Sequence, residues 1–194
     1  YMTGAKGLSY VEKMTNLKVL QMPNAGYEDA LAHLRPGLTL CNATGVHDAS
    51  TAELAVGLAI ASRRGFAEFM KDQNDGIWNH RRFPSLSDSK VGIVGFGSIG
   101  KEIAKKLSVF DVEVTAFTQS GRDGSLKVEE LDKHLPNLDI VILILPLTDT
   151  SRHMFDAPRL SKMKDGALLI NMARGPVVVT DALVAELQTK RLFA

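Results

Sequence analysis

Gly95-Phe96-Gly97-Ser98-Ile99-Gly100 comes directly after the apolar run Val91–Val94 and leads into a segment with apolar residues at Ile99, Ile103, Leu107 and Phe110. G-x-G-x-x-G alone is a weak pattern. Set between a strand and a helix it constrains the fold strongly. Gly95 allows the tight turn, Gly97 lets the backbone approach a pyrophosphate, and Gly100 lets the helix pack on its strand. The amides opening at Ser98 and Ile99 then face anionic oxygens, aided by the helix dipole. The competing reading is a tight strand–helix turn that binds nothing.

Beyond the loop the chain alternates between strand and helix. Val112–Phe117 reads as a strand and Val128–His134 as a short helix. Leu138–Leu145 is apolar at every position but Asp139, the pattern of a parallel strand buried on both faces. Arg159–Met163 reads as a helical turn, Ala167–Asn171 as a fourth strand, and Thr180 as the cap of a helix carrying Leu183, Val184 and Leu187. Such alternation predicts an α/β fold, a doubly wound parallel sheet of Rossmann type.

The part before it is different. Leu17–Met22 and Leu38–Asn42 read as short strands around a helical Tyr27–Leu34, with the turn Pro23-Asn24-Ala25-Gly26 after the first. This is a small β-α-β piece without a complete core. Ser50-Thr51-Ala52-Glu53 reads as a capping box. The helix it opens, Leu54 to about Lys71, is apolar on nearly every side through Ala61, so it needs cover all round. The predicted organisation is residues 1–47 as a partial second domain and residues 48–194 as a dinucleotide-binding domain, incomplete at its C-terminal end. The chain starts Tyr1-Met2-Thr3 and stops at Ala194, where the pattern calls for another strand, which predicts a piece of a longer chain.

Composition removes several classes of function. Hydrophobic residues make up 45%, enough for a core, and the net charge of +1 provides no field to draw nucleic acid or an anionic membrane. No apolar stretch approaches the ~20 residues that a membrane helix needs. Cys41 is the only cysteine, which excludes an internal disulfide and a Cys-cluster metal site, and fits a reducing cytoplasm. No metal is expected.

Two places fix the expected ligand. An acid that bonds the ribose 2′-hydroxyl belongs about 20 residues after the glycine loop. There the chain has Thr118-Gln119-Ser120-Gly121-Arg122, with Asp123 only beyond the arginine. Donors in place of a carboxylate favour NADP over NAD; the alternative is that Arg122 is a solvated loop charge. Then Asn171-Met172-Ala173-Arg174-Gly175-Pro176 comes after the fourth strand, and ligands in open α/β sheets sit beyond strand carboxyl ends. A guanidinium there suits a carboxylate. An ordinary surface ion pair is the competing role for Arg174.

With these residues the chain resembles the D-isomer-specific 2-hydroxyacid dehydrogenases. The likeness rests on Val91–Gly100, Leu145-Pro146-Leu147-Thr148 and Asn171-Met172-Ala173-Arg174-Gly175. Asn42-Ala43-Thr44-Gly45 through Thr51-Ala52-Glu53-Leu54, and Trp78, add to it. The resemblance implies that Arg174 is the catalytic residue that binds the substrate carboxylate and keto oxygen and polarises the carbonyl. Met172 and Ala173 would line the nicotinamide side, Pro146 would border the nucleotide, and Ser98 and Ile99 would lie against the pyrophosphate. Asn24, Ala25 and Gly26, in a flavodoxin-like substrate domain, would offer amides to the substrate carboxylate. It also implies a homodimer through the helix from Ser50 to about Lys71, and a small 2-keto or D-2-hydroxy acid such as glyoxylate or hydroxypyruvate as substrate.

The family's acid/base histidine and its partner glutamate lie beyond the strand that would come after Phe193, and His33, His47, His80, His134 and His153 do not match that position. This chain alone is therefore expected to bind dinucleotide but to reduce 2-keto acids barely or not at all, since general acid help is worth ~10²–10⁴-fold. A dinucleotide-sensing corepressor-like protein on the same fold is the alternative from another class. A short-chain dehydrogenase would need Tyr-x-x-x-Lys after the loop, and Tyr1, Tyr10 and Tyr27 all precede it. A lactate or malate type would begin with the loop.

Overall fold

The computed structural model describes all residues from Tyr1 to Ala194. The chain divides into two compact units, Tyr1–Ser50 and Thr51–Ala194. In the first, β1 (Val19–Gln21) and β2 (Thr39–Cys41) pair in parallel, with Leu20 opposite Leu40. Leu8, Val11, Leu20, Met22 and Ala30 form a small core. The crossover expected as a helix at Tyr27–Leu34 is a 3₁₀ segment, Glu28–His33. So short a crossing cannot repay α-helix nucleation, and the tighter winding suffices.

The second unit begins within α1 (Asp48–Arg63), and α2 (Phe66–Asn74) comes next. Two expectations are corrected here. The capping box at Ser50 does not form: the helix starts at Asp48, whose charge suits the helix N-terminus, and the Ser50 hydroxyl donates back to the His47 carbonyl at 3.1 Å. Nor is there one helix to Lys71. Gly65, with φ of 64°, breaks it, and a Cβ at that position would lie 2.3 Å from the Phe83 ring. The break turns Phe69 edge-on to Phe83, with their ring centroids 5.2 Å apart and the Arg81 guanidinium over both.

The sheet comprises β3 (Lys90–Val94), β4 (Glu113–Thr118), β5 (Leu126–Lys127), β6 (Ile140–Leu143) and β7 (Leu168–Asn171), in the order β5-β4-β3-β6-β7. All pairs are parallel. Four helices come after its strands: α3 (Ser98–Leu107), α4 (Leu131–His134), α5 (Ala157–Leu160) and α6 (Thr180–Gln188). The sequence direction reverses on either side of β3, which makes the β3–β6 boundary the switch point where open sheets bind ligands. The two-residue β5 carries no period and was not expected. Thr180 is the first residue of α6 and not its cap, and no side chain caps that helix. Phe110 lies past the end of α3.

Period-2 alternation explains why β6 is apolar throughout. Ile140 and Ile142 enter one core with Val91, Ile93, Ile103, Leu107, Leu168, Ile170 and the α1 residues Ala52, Ala55, Val56 and Ala59. Val141 and Leu143 enter the other with Phe117, Leu131, Leu135, Leu160 and Leu169. Gly92 faces Leu138 so closely that a Cβ would sit 2.6 Å from it. Past β7, Phe193 bridges Leu168 in parallel, as the strand-like ending predicted.

Asp139, just ahead of β6, ties the amino end of the sheet. Its carboxylate accepts from the Lys90 amide at 2.9 Å and from Lys164 at 2.7 Å. Burial pushes its carboxyl up, but the bonds from Lys164 and the Lys90 amide outweigh this and hold it below the usual carboxylate range. A lowered folded value gives stability that is present above the unfolded value near pH 4 and is lost as the pH falls through the folded one. Asp139→Asn is expected to cost on the order of 1 kcal/mol at pH 7 and to flatten the fall in the urea midpoint below pH 4. Parallel wild-type and variant midpoints across that window would count against it.

Candidate active site

The ladder continues past the strand ends and sets the loops in one row. The Gly95 amide donates to Phe117 O (2.8 Å), Ile144 to Val94 O (2.8 Å) and Met172 to Leu143 O (2.9 Å). Val94 pairs with both Phe117 and Leu143, and Leu143 pairs with Asn171. Gly95, Thr118, Ile144 and Met172 therefore open along the same carboxyl edge.

The three loop glycines differ physically. Gly95 has φ of 104°, and a Cβ there would sit 2.3 Å from Ile144 O. At Gly100 a Cβ would meet Gly95 O at 2.3 Å. At Gly97 it would meet nothing within 4 Å. The first two are required by the protein's own packing. The third is not, and its surroundings are open. Gly97 is the N-cap of α3, and no side chain caps it. The first-turn amides, including those of Ser98 and Ile99, have no acceptor within the helix. Open space before uncapped amides fits a phosphate.

Beyond β4, Thr118 Oγ1 accepts from the Gly121 amide at 2.9 Å and bonds Ser125 Oγ at 2.7 Å. The buried Ser125 hydroxyl donates to Arg122 O. Thr118 thus shapes the turn, while Gln119, Ser120 and Arg122 are exposed on it. No Ser125 role was foreseen. Its signal is the spacing of two hydroxyl residues around Gly121.

After β6, Pro146 is exposed, and its carbonyl accepts from the buried Ser151 hydroxyl at 2.8 Å. Ser151 Oγ also accepts from the Thr148 amide (2.7 Å), and the Ser151 amide donates to Thr148 Oγ1 (3.2 Å). Thr148 and Ser151 thereby cap each other and fix the loop. The His153 amide donates to Pro176 O at 2.7 Å, and Phe155 bridges Val178, so this loop is stitched to the one bearing Arg174.

Arg174 itself is exposed in extended backbone, φ −144° and ψ 145°, with Nη1 donating to Ala173 O at 2.8 Å. Asn171 holds the turn: its Nδ2 donates to Arg174 O (2.9 Å), and its Oδ1 accepts from the Ala173 amide (3.0 Å). Asparagine bonds backbone in both directions, which explains its place at the head of this element. Met172 and Ala173 are half-buried beside it.

In the first unit, three carbonyls of the Pro23–Gly26 turn are engaged. Pro23 O contacts His47 Nε2 (3.1 Å), Asn24 O accepts from the Ala43 amide (3.0 Å), and Ala25 O accepts from Asn42 Nδ2 (2.8 Å). In a trans peptide the next amide points opposite to its carbonyl. The amides of Asn24, Ala25 and Gly26 therefore turn away from residues 42–47.

No group of three or more His, Cys, Asp or Glu side chains is placed to hold a metal ion, and no helix is long and apolar enough to cross a membrane.

Residues 56–194 match the family model of the D-isomer-specific 2-hydroxyacid dehydrogenase NAD-binding domain. The chain is 30% identical over 190 residues to a hydroxypyruvate reductase of Thermotoga maritima, an alignment covering 95% of this chain and 62% of that protein. It is 35% identical over 187 residues to a glyoxylate reductase of Thermofilum pendens, covering 89% of this chain and 55% of that one. Among solved structures, a D-isomer-specific 2-hydroxyacid dehydrogenase of Xanthobacter autotrophicus in complex with NADPH and MES superposes with a TM-score of 0.80 at 25% identity, over 95% of this chain and 63% of that one. The chain thus spans roughly three-fifths of the relatives it matches. A Rossmann-type sheet with this strand order, a glycine loop open at Gly97 and a match through most of the chain lead to one assignment: the protein belongs to the D-isomer-specific 2-hydroxyacid dehydrogenase family and carries that family's NAD-binding domain.

Proposed function

We propose that the whole protein is an oxidoreductase that interconverts a small 2-keto acid and its D-2-hydroxy acid, with NADP(H) preferred over NAD(H). The observation that carries this is the opening at Gly97 before the uncapped start of α3, on the same sheet edge as the loop of Arg174. When bound, the nicotinamide supplies or accepts the hydride.

The chain's own residues have separable roles. The amides at Ser98 and Ile99, with Gly95, Gly97 and Gly100 shaping the turn, would hold the pyrophosphate. Gln119, Ser120 and Arg122 would hold the ribose side, on the turn that the Thr118 hydroxyl shapes; the absence of an acid at Thr118 supports NADP. Pro146, Met172 and Ala173 would border the rings. Arg174 would bind the carboxylate as a fork and polarise the keto oxygen, favouring the charge that develops there. In the first unit, read as part of a flavodoxin-like substrate domain, the amides of Asn24, Ala25 and Gly26 would offer a second carboxylate contact. Glyoxylate and hydroxypyruvate are the substrates we favour, in keeping with the names of the two reductase relatives.

A homodimer through α1 and α2 agrees with the exposed Leu54 (55%), Leu58 (43%) and Met70 (63%). A cytoplasmic location agrees with the single cysteine.

Fluorescence titration with both coenzymes tests the nucleotide assignment. NADPH is expected to bind about tenfold more tightly than NADH. Equal or tighter NADH binding overturns the preference, and binding of neither overturns the site. Keto-acid turnover by the whole protein, assayed with each coenzyme, tests the reaction.

A further inference from the structure

The turn from Thr118 to Ser125 contains one carboxylate, Asp123. Its position is unusual in two ways. Asp123 adopts left-handed backbone, φ 59°, between Gly121 (φ 68°) and Gly124 (φ 77°). Its Oδ2 also lies 2.8 Å from Nζ of Lys101, which belongs to the first turn of α3. The two side chains are about equally half-exposed, at 51% and 53%. This pair is the one ion pair that joins the pyrophosphate helix to the ribose turn.

Charge makes the pairing informative. A cation in the first turn of a helix opposes the dipole, so Lys101 sits where an anion would be favoured. Asp123 is such an anion, and the Lys101 hydrogen bond and charge hold its carboxyl below the ordinary range. Asp123 is also the immediate neighbour of Arg122, so an unpaired carboxylate would offset the guanidinium and repel a neighbouring phosphate. It would equally be the nearest acid able to accept from a ribose 2′-hydroxyl.

We propose that Lys101 is a specificity-determining positioning residue: by engaging Asp123 it withdraws the turn's only carboxylate from the ribose site and keeps that site positive, which sets the preference for a 2′-phosphate. The inference rests on Ser120 and Arg122 forming the ribose side. It concerns how that side is charged, and not whether the chain binds a dinucleotide.

The test is the ratio of NADH to NADPH dissociation constants, measured by fluorescence titration of the purified chain in the wild type, Lys101→Met, Lys101→Arg, Asp123→Asn and the Lys101→Met/Asp123→Asn double variant. Lys101→Met is expected to weaken NADPH about five- to tenfold with NADH unchanged or tighter. Lys101→Arg should keep the wild-type ratio, and the double variant should recover most of it, since the uncompensated carboxylate has gone. The difference between wild type and Lys101→Met should shrink at high salt. Equal weakening of both coenzymes by Lys101→Met, or a ratio that does not move, overturns the proposal, as does failure of Asp123→Asn to rescue. A wild-type ratio favouring NADH overturns the coenzyme preference by itself, whatever the variants do. A thermal melt of each variant confirms that the ratios are read on folded protein.

Discussion

Gly97→Ala is expected to leave the protein folded and to weaken its hold on dinucleotide severely, whereas Gly95→Ala is expected to damage the fold itself. At Gly97 the backbone lies at φ −75° and ψ −161°, which alanine adopts freely, and the added methyl meets no protein atom within 4 Å. Removing a glycine at a compatible site narrows the unfolded ensemble and stabilises by about 0.4–1 kcal/mol, so the melting temperature should hold or rise. The same methyl would stand in front of the α3 amides, where a pyrophosphate needs close backbone approach. NADPH affinity should fall by at least about thirtyfold, a penalty of about 2 kcal/mol. At Gly95 two costs combine: φ of 104°, and a Cβ 2.3 Å from Ile144 O, the carbonyl of a residue whose amide is tied to Val94 O. A loss of about 3 kcal/mol or more is expected. Urea denaturation and NADPH titration of both variants check the contrast. Tight NADPH binding by Gly97→Ala would remove the dinucleotide reading of this loop, and a wild-type melt for Gly95→Ala would contradict its geometry.

The same contrast shows which parts of the fold were legible in the residues. β6 was readable because Ile140–Leu143 is apolar at every position, and only a strand covered on both faces requires that. The glycine loop was readable because three glycines at fixed spacing come after a strand and open a helix, and two of them, Gly95 and Gly100, meet steric demands of the protein's own packing. The break at Gly65 was not. Glycine suits the left-handed turn at 65, but a lone glycine is also tolerated inside a helical pattern, and nothing near it in sequence signals that Phe83 will pack over it. The start of α1 at Asp48 was hidden for a related reason. Ser50 and Glu53 satisfy the capping pattern, but the charge of Asp48 at the helix start won. β5 is two residues long, too short for any period.

For the site, the elements were legible and their bracing was not. Arg174 stood out because a strand end followed by an arginine is chemically suggestive. The two bonds from Asn171 that shape its loop, and the mutual capping of Thr148 and Ser151, depend on side chains folding back onto backbone. Composition does not reveal that. The Lys101–Asp123 pair joins residues 22 apart on different elements, so only the sheet order brings it together.

Removing the Arg174 guanidinium should silence chemistry while sparing coenzyme. In the whole protein, Arg174→Met is expected to lower kcat/KM for glyoxylate or hydroxypyruvate by about 10²–10³-fold, the scale on which a single donor to a developing oxyanion contributes. NADPH affinity should stay within about twofold, because the proposed pyrophosphate and ribose contacts lie on other loops. Arg174→Lys retains the charge but not the planar fork, so it should recover only part of the loss, with KM for the keto acid still raised. The loop itself should survive, since the bonds from Asn171 go to the backbone of residues 173 and 174, and truncating the arginine side chain leaves them in place. Matching thermal melts for wild type and both variants would establish that. If Arg174→Met turned over keto acid within tenfold of wild type, this guanidinium would not be the group that meets the substrate. If NADPH binding fell in step with turnover, Arg174 would serve the coenzyme, and the carboxylate anchor would have to come from elsewhere.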